Sequence, residues 1–166
     1  MTVVLMGVCG CGKTSVGRAL AAKLGWSFLD ADDFHPPTNV AKMAAGIALS
    51  DEDRWPWLDR LRSELANINS RGAHAVLACS ALRERYRDRL SHGRELRWVY
   101  LKGDMATIES RLASRSGHFM PASLLASQFA ALEEPAQALV VDIRQEIDAQ
   151  VAQIAQALAA GVGASA

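Results

Sequence analysis

The sequence predicts an α/β fold in which helices cover both faces of a parallel sheet. Three observations carry this. Short apolar runs rich in β-branched residues alternate with stretches of helical periodicity along most of the chain. A glycine-rich loop, Gly7-Val8-Cys9-Gly10-Cys11-Gly12-Lys13-Thr14, separates the first such run from the first helical stretch. No repeat or long linker interrupts the alternation, and 166 residues fit one domain.

The elements follow in order. Thr2–Met6 is an apolar run closed by Gly7 and predicts a buried strand. Lys13–Leu24 predicts a helix, with Val16, Leu20 and Leu24 on one face and Gly25 as its stop. Trp26–Asp30 predicts a second strand ending in acids, and His35-Pro36-Pro37 breaks the chain before a short helix over Asn39–Ala45. Ser50-Asp51-Glu52-Asp53 is a helix start, its acids near the positive end of the dipole. Pro56 cannot lie deep in that helix without losing a hydrogen bond, so a brief first turn or a kink is expected before the run Trp57–Asn69. Ala73–Cys79 predicts the third strand, Ala81–Leu90 a charged helix and Leu96–Leu101 the fourth strand. Helices over Met105–Ala113 and Pro121–Leu132, a fifth strand over Ala138–Val141 and a helix over Gln145–Ala160 complete the pattern. Residues 1–160 are thus one domain, and 161–166 a flexible tail.

Composition excludes several functions. Eighteen basic residues balance eighteen acidic ones, which leaves no broad basic surface for nucleic acid. No apolar run approaches the ~20 residues that span a bilayer, and the first residues lack the positive region of a signal peptide. The three cysteines, Cys9, Cys11 and Cys79, show no C-x-x-C pair and no disulfide framework. They are expected to be reduced thiols in a cytoplasmic protein. A redox-sensitive loop is the alternative, and it requires a lowered pKa at Cys9 or Cys11.

The loop matches G-x-x-x-x-G-K-[ST] in full and lies between a strand and a helix, as the motif requires. Its glycines let successive backbone N–H groups turn inward on phosphate oxygens, and the helix presents its positive end to the same anion. The expected cradle runs Gly7, Val8, Cys9, Gly10, Cys11, Gly12, Lys13, Thr14 and Ser15. Lys13 is placed to bridge the β- and γ-phosphates of a nucleotide, and the Thr14 hydroxyl to ligate Mg2+.

Many enzymes with this loop hold Mg2+ with an Asp after a later strand, but the third strand here ends Leu77-Ala78-Cys79-Ser80 without an acid. The acids follow the second strand as Asp30, Asp32 and Asp33. Strand ends at the carboxyl edge of an open sheet face the ligand crevice. One of Asp30 and Asp32 is expected to help hold Mg2+ and the other to take a proton from a substrate hydroxyl. Simple capping of the following segment is the competing explanation. His35, Lys42, Arg54 and Arg83 stand beside strand ends or in the segments after them, a set that suits a small polyhydroxylated acid. A lone His or Arg in a loop is more often merely solvated, so spacing alone leaves their roles open. Trp55 and Trp57 flank Pro56 and stand to cover the acceptor pocket, while Trp26 and Trp98 belong to the core.

Arg111 and Arg115 recur at helical spacing and lead into Ser116-Gly117-His118, with Pro121 beyond. Kinases of small molecules need a closing element that excludes water and brings Arg to the transferring phosphoryl group. A lid around residues 114–121 is therefore expected, against the alternative of an exposed basic helix face.

The loop, the segment Asp30-Ala31-Asp32-Asp33-Phe34-His35-Pro36-Pro37-Thr38-Asn39-Val40-Ala41-Lys42-Met43, and the segment Cys79-Ser80-Ala81-Leu82-Arg83 together resemble bacterial gluconokinases of the small P-loop type. The likeness continues through Leu49–Leu58, Tyr86-Arg87-Asp88, Tyr100–Asp104, Gly117-His118-Phe119 and Val140-Val141-Asp142. The loop is shared with a vast superfamily; the two later segments are far more specific. The resemblance implies a three-layer fold with a five-stranded parallel sheet, similar to shikimate and nucleoside-monophosphate kinases. It implies ATP-dependent phosphorylation of D-gluconate at its 6-hydroxyl, with Mg2+, in a homodimer. By the same likeness Asp32 is the base or hydroxyl anchor. His35, Arg54, Ser80, Arg83 and His118 lie on the gluconate side, and Arg111 and Arg115 near ATP. Cys9 departs from the Ser common in relatives; backbone N–H groups do the binding there, so little change in ATP affinity is expected.

Two rivals remain at this level. One is a kinase of another hydroxy acid such as shikimate, although those enzymes usually carry a glycine-rich segment where this chain has Ser80-Ala81-Leu82-Arg83. The other is a nucleotide-binding regulator, which would need neither the acid–His segment nor a basic lid.

Overall fold

The computed structural model describes residues 1–114 and 122–161. Five strands form one parallel sheet: β1 (Thr2–Met6), β2 (Ser27–Asp30), β3 (Ala75–Ala78), β4 (Leu96–Lys102) and β5 (Leu139–Asp142), in the order β2-β3-β1-β4-β5. The helices are α1 (Lys13–Leu24), α2 (Pro37–Ala44), α3 (Asp51–Ser70), α4 (Glu84–Ser91), α5 (Met105–Ala113), α6 (Ala122–Ala131) and α7 (Ile147–Ala159). A 3-10 turn, Ala31–Phe34, links β2 to α2.

Alternation along the strands divides the interior in two. Val3 and Leu5 of β1 face a core completed by Val16 and Leu20 of α1, Ile108 of α5, Leu125 of α6, and Val151 and Ile154 of α7. Val4 and Met6 point the other way, into Leu58, Leu61 and Leu65 of α3 and Leu90 of α4. Both faces of β1 are therefore buried, which is why its five residues read as a continuous apolar run rather than an alternating one. Gly17 lets α1 approach this sheet closely: a Cβ there would lie 2.6 Å from Phe28 Cε2 and 3.3 Å from Leu5 Cδ1.

Of the two outcomes expected at Pro56, a separate first turn is ruled out. The helix is continuous from Asp51 to Ser70 with Pro56 inside it, not a short turn followed by a second start. Pro56 lies in the second turn, where the carbonyl it leaves unpaired, that of Glu52, is on an exposed residue and can take water. A complete capping box holds the end: Asp53 N–H donates to Ser50 Oγ (3.2 Å) and Ser50 N–H to Asp53 Oδ2 (2.9 Å). Burial of Trp57 and Leu58 immediately after the proline offsets the lost bond.

β1 is central, with β3 on one side and β4 on the other; the connection from β1 runs past β3 to β2, and that from β3 runs the opposite way, past β1 to β4. Such a reversal opens a crevice at the carboxyl ends of the strands. The glycine loop leaves β1 into that crevice, and the 3-10 turn and the β3–α4 connection leave β2 and β3 at the same edge.

Candidate active site

The loop between β1 and α1 depends on positive φ angles at Gly7 (143°), Gly10 (83°) and Gly12 (100°). At Gly7 the space is also closed, since a Cβ would lie 2.8 Å from Cys11 Sγ and 2.9 Å from the Leu101 carbonyl oxygen. Lys13 folds back over the loop, its Nζ donating to the carbonyls of Gly7 (3.0 Å) and Val8 (3.1 Å). A cation is thus held at the loop's mouth. The N-terminus of α1, capped by no side chain, supplies free amides beneath it.

Asp30, the last residue of β2, joins two elements. Its Oδ2 accepts from Thr14 Oγ1 of α1 (3.0 Å), and its Oδ1 accepts from the Asp32 N–H (3.2 Å), capping the 3-10 turn. The competing explanation for the acids therefore holds in part for Asp30: it is a cap. It also stands beside the loop hydroxyl, and two such oxygens suit a hard cation that keeps most of its water. Among the described residues no group of three or more His, Cys, Asp or Glu forms a metal cage.

Asp32 projects into the crevice, its side chain 87% exposed. The crevice walls nevertheless crowd it, and their desolvation, followed by the charge of Asp30, raises its pKa above 3.8. Exposure to water and nearby protein density coexist in an open crevice. The exposure keeps the effect modest, but the direction suits a group that must gain and lose a proton.

His35 is 5% exposed at its side chain and stacks on Trp57, with ring centroids 4.2 Å apart and planes at 15°. Burial, with a smaller contribution from Arg54, lowers its pKa against the opposing pull of Asp32, so the ring is neutral at pH 7. The Asn39 amide nitrogen lies 3.3 Å from Nδ1. An amide NH2 only donates, which places the ring proton on Nε2, the nitrogen 4.0 Å from Asp32 Oδ1. Trp57 in turn donates Nε1–H to the Ala31 carbonyl (2.7 Å). It is thus a wall behind the 3-10 turn rather than a cover over the pocket. Trp55 packs edge-on against Tyr86 instead.

The third segment follows β3. Ala81 has φ 39°, a left-handed conformation unusual for a residue with a Cβ, and it turns the chain between Ser80 and Arg83. Arg87, buried on α4, clamps this turn by donating to the carbonyls of Ala81 (3.1 Å) and Leu82 (3.2 Å). The Ser80 carbonyl accepts from the Gly7 N–H at 3.4 Å, so this turn touches the phosphate loop directly. The fold thus gathers Lys13, Thr14, Asp30, Asp32, His35, Ser80 and Arg83 around one sheet edge.

Other predicted residues are engaged elsewhere. Lys42 binds both carboxylate oxygens of Asp53 at 2.7 and 2.8 Å and is tied to the α3 cap. Arg54 bonds the Leu49 and Ser50 carbonyls and lies over the Tyr86 ring. Arg111 donates to the Ile143 carbonyl, and its Nη1 lies 3.9 Å from where a Gly12 Cβ would sit. It also lines a groove of about 520 Å3 with Ala106, Thr107, Ser110 and Arg144. Arg115, His118 and all but the first residue of the expected lid lie outside the described residues, as does the tail after Gly161. Burial raises the Cys11 thiol pKa and pushes that of Cys79 up to about 12, so neither is an activated thiol. A further concavity, lined by Met1, Asn69 and Arg94, opens at the amino ends of the strands, away from this site.

Sequence reasoning missed Arg87 as a clamp, Trp57 as a wall and Gln128, whose Oε1 accepts from the Cys9 N–H at 2.6 Å. A partner 119 residues away leaves no local signal.

A crevice of this kind takes a nucleotide's phosphates from one wall and a hydroxylated anion from the other, the layout of P-loop kinases that act on small molecules. Comparison with known proteins agrees. The model of the shikimate kinase family matches residues 9–159. The thermosensitive gluconokinase of Escherichia coli (strain K12) is 45% identical over 155 residues, covering 92% of this chain and 82% of that protein. Its thermoresistant counterpart is 42% identical over 163 residues, covering 95% and 93%. The crystal structure of a gluconokinase from Sinorhizobium meliloti 1021 superposes with a TM-score of 0.81 at 40% identity over 95% of both chains. The chain belongs to the gluconokinase family, kinases built on the shikimate kinase plan.

Proposed function

We propose that this kinase transfers the γ-phosphoryl group of ATP to the 6-hydroxyl of D-gluconate, giving 6-phospho-D-gluconate and ADP. The observation that carries the reading is the meeting of the phosphate loop with the two segments most specific to the gluconokinase likeness. Asp30–His35 and Ser80–Arg83 both stand at the loop's edge of the sheet.

In this reading the loop amides and Lys13 hold the phosphates. The groove beside Arg111 takes the adenine, and Arg83, with no ion pair among the described residues, meets the gluconate carboxylate. Ser80 and the Nε2–H of neutral His35 bind sugar hydroxyls. Asp32 accepts the proton of the 6-hydroxyl as its oxygen bonds to the γ-phosphorus and the bond to ADP breaks. Thr14 and Asp30, with water, would hold Mg2+, which would neutralise charge on the phosphates. Asp32 remains the second candidate for that ligand. Arg54 and Lys42 contribute by shaping the α2–α3 wall, and a lid around residues 114–121 brings Arg115 to the phosphates and His118 to the acceptor. Residues 1–160 form the one domain and 161–166 its tail.

Three unpaired thiols suit a reducing cytoplasm. The family likeness, with Val40, Met43 and Ile47 exposed on and after α2, supports a homodimer. No helix among the described residues is long and apolar enough to cross a membrane.

A coupled assay of ADP release with gluconate, shikimate, glycerate and nucleoside monophosphates tests the reading. Gluconate is expected to be the preferred acceptor. ADP release with another acceptor and none above background with gluconate would overturn it.

A further inference from the structure

The loop's amides divide by direction. The N–H groups of Gly7, Cys9 and Cys11 each have a protein acceptor: the Ser80 carbonyl (3.4 Å), Gln128 Oε1 (2.6 Å) and the Val8 carbonyl (3.3 Å). Those of Val8, Gly10, Gly12, Lys13, Thr14 and Ser15 have none among the described residues, and those from Gly10 onward, at the N-terminus of α1, are left for phosphate. The first set is scaffolding: the Cys11 bond braces the loop from within, and the Gly7 and Cys9 bonds hold it from outside. Within it Gln128 is the one side chain that reaches in from another element, and it makes the shortest bond.

α6 is itself tied to the acceptor side of the crevice. Just past its end, the Glu133 N–H donates to the Leu82 carbonyl (2.8 Å), and Glu133 Oε2 accepts from the Glu84 N–H (2.6 Å). Glu134 pairs with Lys102 at the end of β4 (2.8 Å). α6 and the residues just past it therefore hold the phosphate loop at one point and the turn bearing Ser80 and Arg83 at another.

We infer that Gln128 is a positioning residue for phosphoryl transfer. Through the Cys9 amide it sets the register between the phosphate loop and the acceptor-binding turn. In-line transfer needs the attacking oxygen and the phosphorus held about 3–3.5 Å apart, and a displacement of about 1 Å can cost on the order of 10²-fold. Binding of each substrate alone does not depend on that register; transfer between them does. The inference rests on the acceptor assignment proposed above.

The test compares Gln128→Ala with Gln128→Glu, which keeps an acceptor oxygen at the same reach. Gln128→Ala is expected to lower kcat by about 10–10²-fold with the KM for ATP and for gluconate changed less than about threefold. ADP formed should then exceed 6-phosphogluconate formed, because water reaches a γ-phosphoryl group no longer aligned with its acceptor. Gln128→Glu should restore the one-to-one ratio. A kcat for Gln128→Ala within about twofold of the unsubstituted enzyme overturns the inference, as does an equal loss of coupling in both variants. A second measurement needs no variant and no acceptor. In the ligand-free protein the Cys9 amide should exchange with solvent far more slowly than the Gly10 amide, and equal rates overturn the tie. If the unsubstituted enzyme turns over no gluconate, the acceptor assignment fails, and the Cys9 exchange rate still judges Gln128.

Discussion

Trp57→Phe isolates one hydrogen bond that the acid-bearing turn depends on. Trp57 is 7% exposed, its ring lies against His35, and its Nε1–H is bonded at 2.7 Å to the carbonyl of Ala31, a residue only 1% exposed. Phenylalanine keeps an aromatic face for His35 but has no donor. The Ala31 carbonyl is then buried without a partner, which costs about 1–3 kcal/mol. For a chain of this size each kcal/mol moves Tm by roughly 2–4 °C, so a fall of roughly 2–12 °C is expected in a thermal melt. The function should change with it. Ala31 begins the 3-10 turn that carries Asp32, and loosening that turn should lower kcat with gluconate while the KM for ATP holds, because Lys13 and the loop amides are untouched. Trp57→Ala, which also removes the ring, should cost about 3–5 kcal/mol in all. A melt for Trp57→Phe within about 1 °C of the unsubstituted protein would refute the reasoning, since it would mean that water replaces the lost donor at Ala31.

Three further outcomes are expected. Asp32→Asn should lower kcat on the order of 10²–10⁴-fold, the range for a positioned base, and a near-normal kcat would remove Asp32 from that role. Because the folded protein raises the Asp32 pKa, its ionisation opposes folding above that pKa, so the same variant should melt no lower than the unsubstituted protein at pH 7. Lys13→Ala should abolish turnover while the protein still folds, since Lys13 bonds only loop atoms; retained turnover would take the loop out of the mechanism. Hydrogen bonds lower the pKa of Asp51 (from Tyr86) and Asp53 (from Lys42, then the Ser50 amide) below the ordinary 3.8. A carboxylate with a depressed folded pKa stabilises the fold above the unfolded value and loses that contribution as pH falls through the folded one. Acid unfolding monitored by circular dichroism should therefore begin below about pH 4, with Asp53→Asn showing a shallower loss; an unchanged slope would mean that the α3 cap does not drive it.

Much of the site was legible along the chain because its parts are local. The phosphate loop, the acids after β2 and the turn after β3 are contiguous segments whose chemistry shows in their residue types. Each follows a strand whose apolar run is visible for the same reason. The double burial of β1 follows from its unbroken apolar run. The continuous α3 was not legible, because whether Pro56 breaks a helix depends on where its orphaned carbonyl faces and on what anchors the next turn.

The residues in sequence therefore establish a parallel α/β fold, a phosphate cradle and acidic and cationic acceptor segments, since periodicity and motif spacing are properties of short stretches. Tertiary structure alone decides the rest. It makes Trp57 a wall behind the turn carrying Asp32, commits Lys42 to Asp53, and sets Arg87 to hold the strained Ala81 turn. It also brings Gln128 across 119 residues to the Cys9 amide. These bonds join separate segments, from 6 to 119 residues apart, and their partners are chosen by the packing of helices on the sheet.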